Sequence, residues 1–398
     1  TYMIFCESFL PPSKKPLDPE FDRRDVYLIT QNALADPTYL DYIRAHYYRS
    51  AQQDPPFFQE MLRSQSSRKL GRTNFLARVV APLDRAMASF GAAVEERRRR
   101  DGLYPDIEIY TPSAEDSENA YLEYMVDAHR RKQLDQLKPG EVVTQMEDGH
   151  VSVQGQAAVM AINGLLTKTI FDKNPNHEFY IEESFPLDWM FPYLTPYGII
   201  LKLNREPVEA ITEEMLVNDR QFWSQYMERL IGNWIQPDTS IEELVRFAKQ
   251  VYLRGDLSDY QGDTKFLRED WAQKAFSKVR SAIAGVYAFR LTPQCPPELR
   301  PKTPEEEQRL LEEADFAFRQ AFALCPYSPE AILRYSNLLA TVNRLDDAIL
   351  LTRTCYEFDR ENEGVIQLLR QLNLMKQGQS TLQQLEQEVN QLERQYAA

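Results

Sequence analysis

The segment ADFAFRQAFALCP, residues 314–326, sets Ala314, Phe318, Ala321 and Pro326 at the offsets A-x3-F-x2-A-x4-P. That is the register of the second helix in a 34-residue helix-pair repeat, where small residues let two helices approach and the proline follows the helix end. Ala348, Thr352, Cys355 and Arg360 stand 34 positions later, so the register recurs in weaker form. Scaffolds of this kind present a surface and perform no chemistry of their own.

Working outward, the second unit runs from Pro329 to Asn362, with Ile332, Tyr335, Ser336 and Leu339 in the slots of a tetratricopeptide first helix. Residues on the open side of that helix, Glu330, Leu333, Asn337, Ala340 and Thr341, form a candidate groove for a protein or peptide partner. Thr303, Pro304 and Glu306 supply a cap, a first-turn proline and a capping-box acid, which starts a helix over Thr303 to Leu311 ahead of the first unit. After Asn362 the spacing predicts a helix over about Val365 to Lys376. A last helix follows, in which Leu382, Leu385, Val389, Leu392 and Tyr396 form an apolar stripe under a polar Gln- and Glu-rich face. That helix suits a cap on the stack, with a short coiled coil as the alternative.

Upstream, residues 211–292 read as a helical bridge. Thr212 caps Glu213 to Ile231, Ser240 with Glu243 makes a capping box for a helix to Tyr252, and a third helix runs from about Asp270 to Phe289. Trp271, Ala275, Phe276, Val279, Ile283 and Val286 are read as its core stripe. The first 210 residues read as α/β. Asp25–Thr30, Asp106–Tyr110, Phe179–Ile181 and Ile199–Leu203 have strand character, and Asp36 with Pro37 starts a helix. Val142–Thr144 and Val151–Val153 flank Asp148-Gly149 as a hairpin, and Gln156–Phe171 reads as a helix. This order predicts a mainly parallel sheet covered by helices, with a helical insertion over about 50–103. Residues 293–398 hold the repeats and their terminal cap.

The chain has 398 residues, 43% of them hydrophobic, only 14 glycines and a formal net charge of −14. Such a chain fills two or three globular domains, and its charge argues against a nucleic-acid partner, which needs a basic face. Arg97–Arg100 close an apolar helical stripe and read as a solvated helix end. Cys6, Cys295, Cys325 and Cys355 lack metal or redox spacing and read as core residues, with a Cys325–Cys355 bridge as the lesser alternative. The four histidines are isolated, and His177-Glu178 cannot extend to H-E-x-x-H because residue 181 is Ile. No metal or cofactor is predicted, and no catalytic residue can be assigned. Two polar groups are candidate ligand sites: Gln31, Asn32 and Asp36 after the first strand, and Glu182, Glu183 and Asp188 after a later one. No run of 18 apolar residues marks a membrane span.

VYLITQNALADPTYLDYIR at Val26–Arg44, EFYIEESFPLDWMFPYLTPYGIILKLNREP at Glu178–Pro207 and FAFRQAFALCPYSPEA at Phe316–Ala331 resemble a known family. They look like the soluble C-terminal part of multi-spanning bacterial membrane proteins related to the repeat-tailed protein O-mannosyltransferases of eukaryotes. The resemblance covers most of Thr1 to about Lys376. It implies a bundle of membrane helices before Thr1 that carries lipid-linked-sugar transfer, and a tail on the extracytoplasmic, periplasmic side. The start at Thr1, inside the apolar stretch Tyr2–Phe5, fits a cut through a larger protein. The family's catalytic acid belongs among the membrane helices, so the resemblance assigns no catalytic residue here. The implied role is a non-catalytic, protein-binding accessory region. The alternatives are a carbohydrate-active α/β enzyme using Glu182, Glu183 or Asp188, and a cytosolic repeat adaptor.

Overall fold

The computed structural model describes residues 27–28, 34, 93, 109–137, 141–145, 151–182 and 187–396. Over these the chain is mostly helical, and none of its described helices is long and apolar enough to cross a membrane. It divides into two compact units, one within Leu17–Ile181 and one holding Glu182–Ala398.

In the first unit, β1 (Tyr27–Leu28) pairs in parallel with β4 (Phe179–Ile181), Tyr27 opposite Phe179 and Leu28 opposite Tyr180. Between them lie α1 (Ala114–Gln133), the hairpin of β2 (Val142–Gln145) and β3 (Val151–Gln154), and α2 (Gln156–Lys173). The hairpin and α2 follow the sequence reading. The helix α1 does not figure in it, although Ser113 and Asp116 form a complete capping box at its start and Arg130, Arg131 and Lys132 close its last turn. Tyr124 and Ala128 of α1 meet Val143, Val153 and Ala158 in a small core. Beside it the buried Glu141 carboxylate accepts from Tyr124 Oη and Arg131, so its charge is paired rather than stranded.

Burial pushes the Asp116 carboxyl up, and hydrogen bonds from Tyr110, the Ser113 amide and Lys173 outweigh this and bring it down to about 2. Ile109 and Tyr110, the described end of the expected strand Asp106–Tyr110, are not in a sheet. The Tyr110 amide donates to Asn174 Oδ1 at 2.7 Å and its carbonyl accepts from Asn174 Nδ2 at 2.9 Å, so a side chain takes the place of a partner strand. The expected helix after Asp36 and the insertion over 50–103 lie outside the described residues, apart from the helical Ala93.

The second unit opens with a 3-10 turn over Asp188–Tyr193, then β5 (Leu194–Tyr197) and β6 (Ile200–Leu203). The two strands pair antiparallel, Tyr197 opposite Ile200, across a two-residue turn in which Gly198 takes φ 60°. A two-residue turn can only return the chain antiparallel, since a parallel partner needs a long crossover. The mainly parallel sheet expected over 1–210 is not shown by the described strands, which give a two-residue parallel pair, β1 with β4, and two antiparallel hairpins.

From Thr212 onward the unit is all-α. α3 (Glu213–Leu230) is capped by Thr212, and α4 (Ile241–Phe247) by the box of Ser240 and Glu243, running on into a π turn over Ala248–Leu253. Gly262 crosses the end of α3 so closely that a Cβ there would lie 2.3 Å from the Leu230 carbonyl oxygen. Then come α5 (Asp270–Phe289), α6 (Pro304–Leu324), α7 (Pro329–Thr341), α8 (Leu345–Phe358) and α9 (Glu363–Tyr396).

Two boundaries differ from expectation. The helix begun at Thr303 does not stop near Leu311 but continues as α6 through Leu324, and its main partner is α5. The first helix pair of the stack is thus α5 with α6, so the bridge over 211–292 and the repeats over 293–398 share one compact unit. The two helices expected after Asn362 are one, α9, which runs on through Gly378. A crevice of ≈ 710 Å³ opens between α8 and α9, lined by Tyr356, Ile366, Leu369, Asn373 and Leu374.

The expected core stripe of α5 holds at Ile283 and Val286, both fully buried, and departs from the apolar reading in the first half of the helix. Trp271 is 85% exposed and Ala275 is exposed, whereas Gln273, Ser277 and Arg280 are buried. Those polar groups are buried because each finds a partner: Gln273 donates to the Phe266 carbonyl and Ser277 to the Ala321 carbonyl. Arg280 donates to Gln320 and Asp219, each at 2.8 Å.

Candidate functional site

The candidate groove is built on α7. Its buried face is fixed by Ile332, Tyr335, Ser336 and Leu339. Tyr335 stacks on Phe318 of α6 with ring centroids 5.3 Å apart and donates to Asp315 at 2.7 Å. Ser336 and Thr352 of α8 share a hydrogen bond at 2.9 Å, a separation that only small side chains permit. The helix ends where Asn343 takes a left-handed φ of 64° and the Arg344 amide donates back to the Leu339 carbonyl at 2.7 Å.

With that face buried, the 3.6-residue period turns Leu333, Asn337 and Thr341 outward, and all three are exposed. Glu330 and Ala340 are half-buried. Glu330 forms an ion pair with Lys278 of α5 at 3.2 Å, and Arg334 donates to Ser281 of α5 at 3.3 Å, so α5 and α7 lie side by side. Burial lowers the Arg334 guanidinium to about 10. Trp271, in the first turn of α5, was read as core and is instead the most exposed large apolar side chain among the described residues. The only hint in the sequence is its place immediately after the helix start, where one side of the first turn has no preceding turn to cover it.

The other candidate residues are not brought together. Gln31, Asn32, Asp36 and Glu183 lie outside the described residues. Glu182 is half-buried after β4, and Asp188 is exposed at the start of the 3-10 turn. Among the described residues no three His, Cys, Asp or Glu side chains are placed to hold a metal ion. Cys295, Cys325 and Cys355 are free thiols, and burial pushes Cys325 and Cys355 up to about 12, which leaves them inert as nucleophiles near neutrality. Cys6 lies outside the described residues.

Leu333, Asn337 and Thr341 thus stand exposed along α7, and Trp271 stands exposed at the start of the neighbouring α5. Compared with protein-family models, curated proteins and solved structures, the chain finds no match.

Proposed function

We propose that this chain is the non-catalytic, extracytoplasmic accessory region of a multi-spanning, glycosyltransferase-like membrane protein, and that it binds a protein or peptide through the α5–α7 face. Residues 1–210 would form its α/β part. The observation that carries the binding role is the row Leu333, Asn337 and Thr341 left exposed on a helix whose opposite face is fully packed, with Trp271 exposed on the adjacent helix. The membrane setting rests on the resemblance of Val26–Arg44, Glu178–Pro207 and Phe316–Ala331 to that family. An array of extended peptides drawn from extracytoplasmic proteins, probed with the purified chain, tests the binding role. Leu333→Glu and Trp271→Ser are expected to abolish retention while leaving the circular-dichroism melt unchanged, and retention that survives both substitutions overturns the assignment. A reporter fused after Ala398 in the full-length protein reads which side of the membrane the chain occupies.

A further inference from the structure

The crevice of ≈ 710 Å³ between α8 and α9 is shaped for a second helix. On α9 its lining residues Ile366, Leu369, Asn373 and Gln377 follow one another at steps of three and four, so they share one face and form a trough about 17 Å long. Tyr356 supplies the α8 side, and Leu374, 65% exposed, completes the apolar strip. An extended peptide laid here would leave its backbone amides unpaired against apolar walls, whereas a helix satisfies its own.

Charge narrows the choice of helix. Asp346 near the start of α8 pairs with Lys376, and Tyr356 near its end meets Ile366, so the two helices run antiparallel. Arg353 comes about two turns after Asp346 and Arg370 nearly two turns before Lys376, which sets the two arginines level with each other. Arg370 lines the trough, and Arg353 stands one turn before Tyr356 on the same side of α8. Both are exposed, and among the described residues neither has a hydrogen bond or ion pair. The acids of α8 and of the first half of α9 do not answer them. Asp346 is held by Lys376, Asp347 by Arg344 and Glu357 by Lys249, while Asp359, Glu361 and Glu363 gather with Arg360 at the turn between the helices. The middle of the trough is therefore basic on a chain of formal net charge −14. Two like charges on facing rims favour an acid laid between them.

We propose that this trough docks an acidic amphipathic helix of a second protein, its apolar face on Tyr356, Ile366, Leu369 and Leu374 and its carboxylates on Arg353 and Arg370. The surface is separate from the α5–α7 face, so either can fail without the other. Fluorescence anisotropy on the whole chain tests it with labelled peptides about 14 residues long. One carries Leu and Ile along one face and Glu on both edges, a second has Lys in place of each Glu, and a third is the first in scrambled order. The acidic peptide is expected to bind at least about tenfold more tightly than the other two, and less tightly as salt rises. Arg353→Glu combined with Arg370→Glu is expected to reverse the order, so that the Lys peptide binds best. Gain of binding by one peptide shows that the variant is folded. Leu374→Glu is expected to abolish capture of the acidic peptide. Absence of binding, equal binding by all the peptides, or an order unchanged in the double arginine variant overturns the proposal. Sedimentation of the chain alone checks the occupant, because an oligomer that Leu374→Glu dissociates means that a second copy fills the trough, which also overturns it.

Discussion

The helix pairs α5–α6 and α7–α8 share a sequence register on the second helix of each, yet they are held by different forces. In the first pair, Arg280, Gln320 and Ser277 are buried and bonded between the helices, and Arg280 reaches on to Asp219 of α3. In the second pair the contact is apolar, with one hydroxyl bond from Ser336 to Thr352. The common element is size: Ala314 and Ala321 in one, Ala348 and Cys355 in the other, all fully buried. At the intervening position Phe318 stacks on Tyr335, whereas Thr352, 34 residues later, bonds Ser336. The repeat therefore conserves a helix–helix distance and leaves the means of filling it free.

The sharpest way to break this contrast is to strand the buried charge. Arg280→Met leaves Asp219 buried without its cation and should cost about 3–5 kcal/mol in urea unfolding. The double variant with Asp219→Leu should recover most of that loss; if it does not, the first pair depends on the ion pair for more than its charge balance. Phe318→Ala should come next, at about 3 kcal/mol, because it empties a fully buried ring site against Tyr335. Thr352→Val should cost only about 1 kcal/mol, since it removes the Ser336 bond and keeps the volume. A loss as large as that of Phe318→Ala would mean that the two pairs are not held differently after all.

Helix caps give the smallest and cleanest test. Thr303 accepts from the Glu306 amide at the start of α6, so Thr303→Ala should cost about 1 kcal/mol. Ser328 occupies the same position before α7, but its hydroxyl is buried and has no hydrogen-bond partner among the described residues. Ser328→Ala should then be neutral or slightly stabilising in a thermal melt, because it removes an unsatisfied group.

Much of the all-α part was legible in the sequence because its signals are local. Thr212, Ser240 and Thr303 each mark a helix start that the structure reproduces. The failures have physical causes. β5 was hidden by Pro196, which has no N–H to give a ladder, and Gly198 was the surviving clue. α1 was hidden because Tyr121, Leu122 and Val126 are exposed apolar residues that blur its stripe. The inner face of α5 is polar only over its first half, at Gln273, Ser277 and Arg280, so the apolar pattern held at Ile283 and Val286 and failed at Trp271, and burial of Arg280 depends on Asp219, 61 residues away. On α7 the period alone gave Leu333, Asn337 and Thr341 as outward positions, whereas Glu330 and Ala340 of the same reading are half-buried. The trough between α8 and α9 was not legible, since Tyr356 meets Ile366 and Leu369 only through the packing of the two helices.

The crevice between α8 and α9 has a consequence of its own. A stack of helix pairs behaves as a one-dimensional chain in which each member gains from its neighbour, so its end member carries a coupling that is left unspent. Among the described residues, Tyr356, Ile366, Leu369 and Leu374 mark that end. A single amphipathic helix grafted against them would lengthen the chain by half a period, and the graft should raise the cooperativity of unfolding along with the stability.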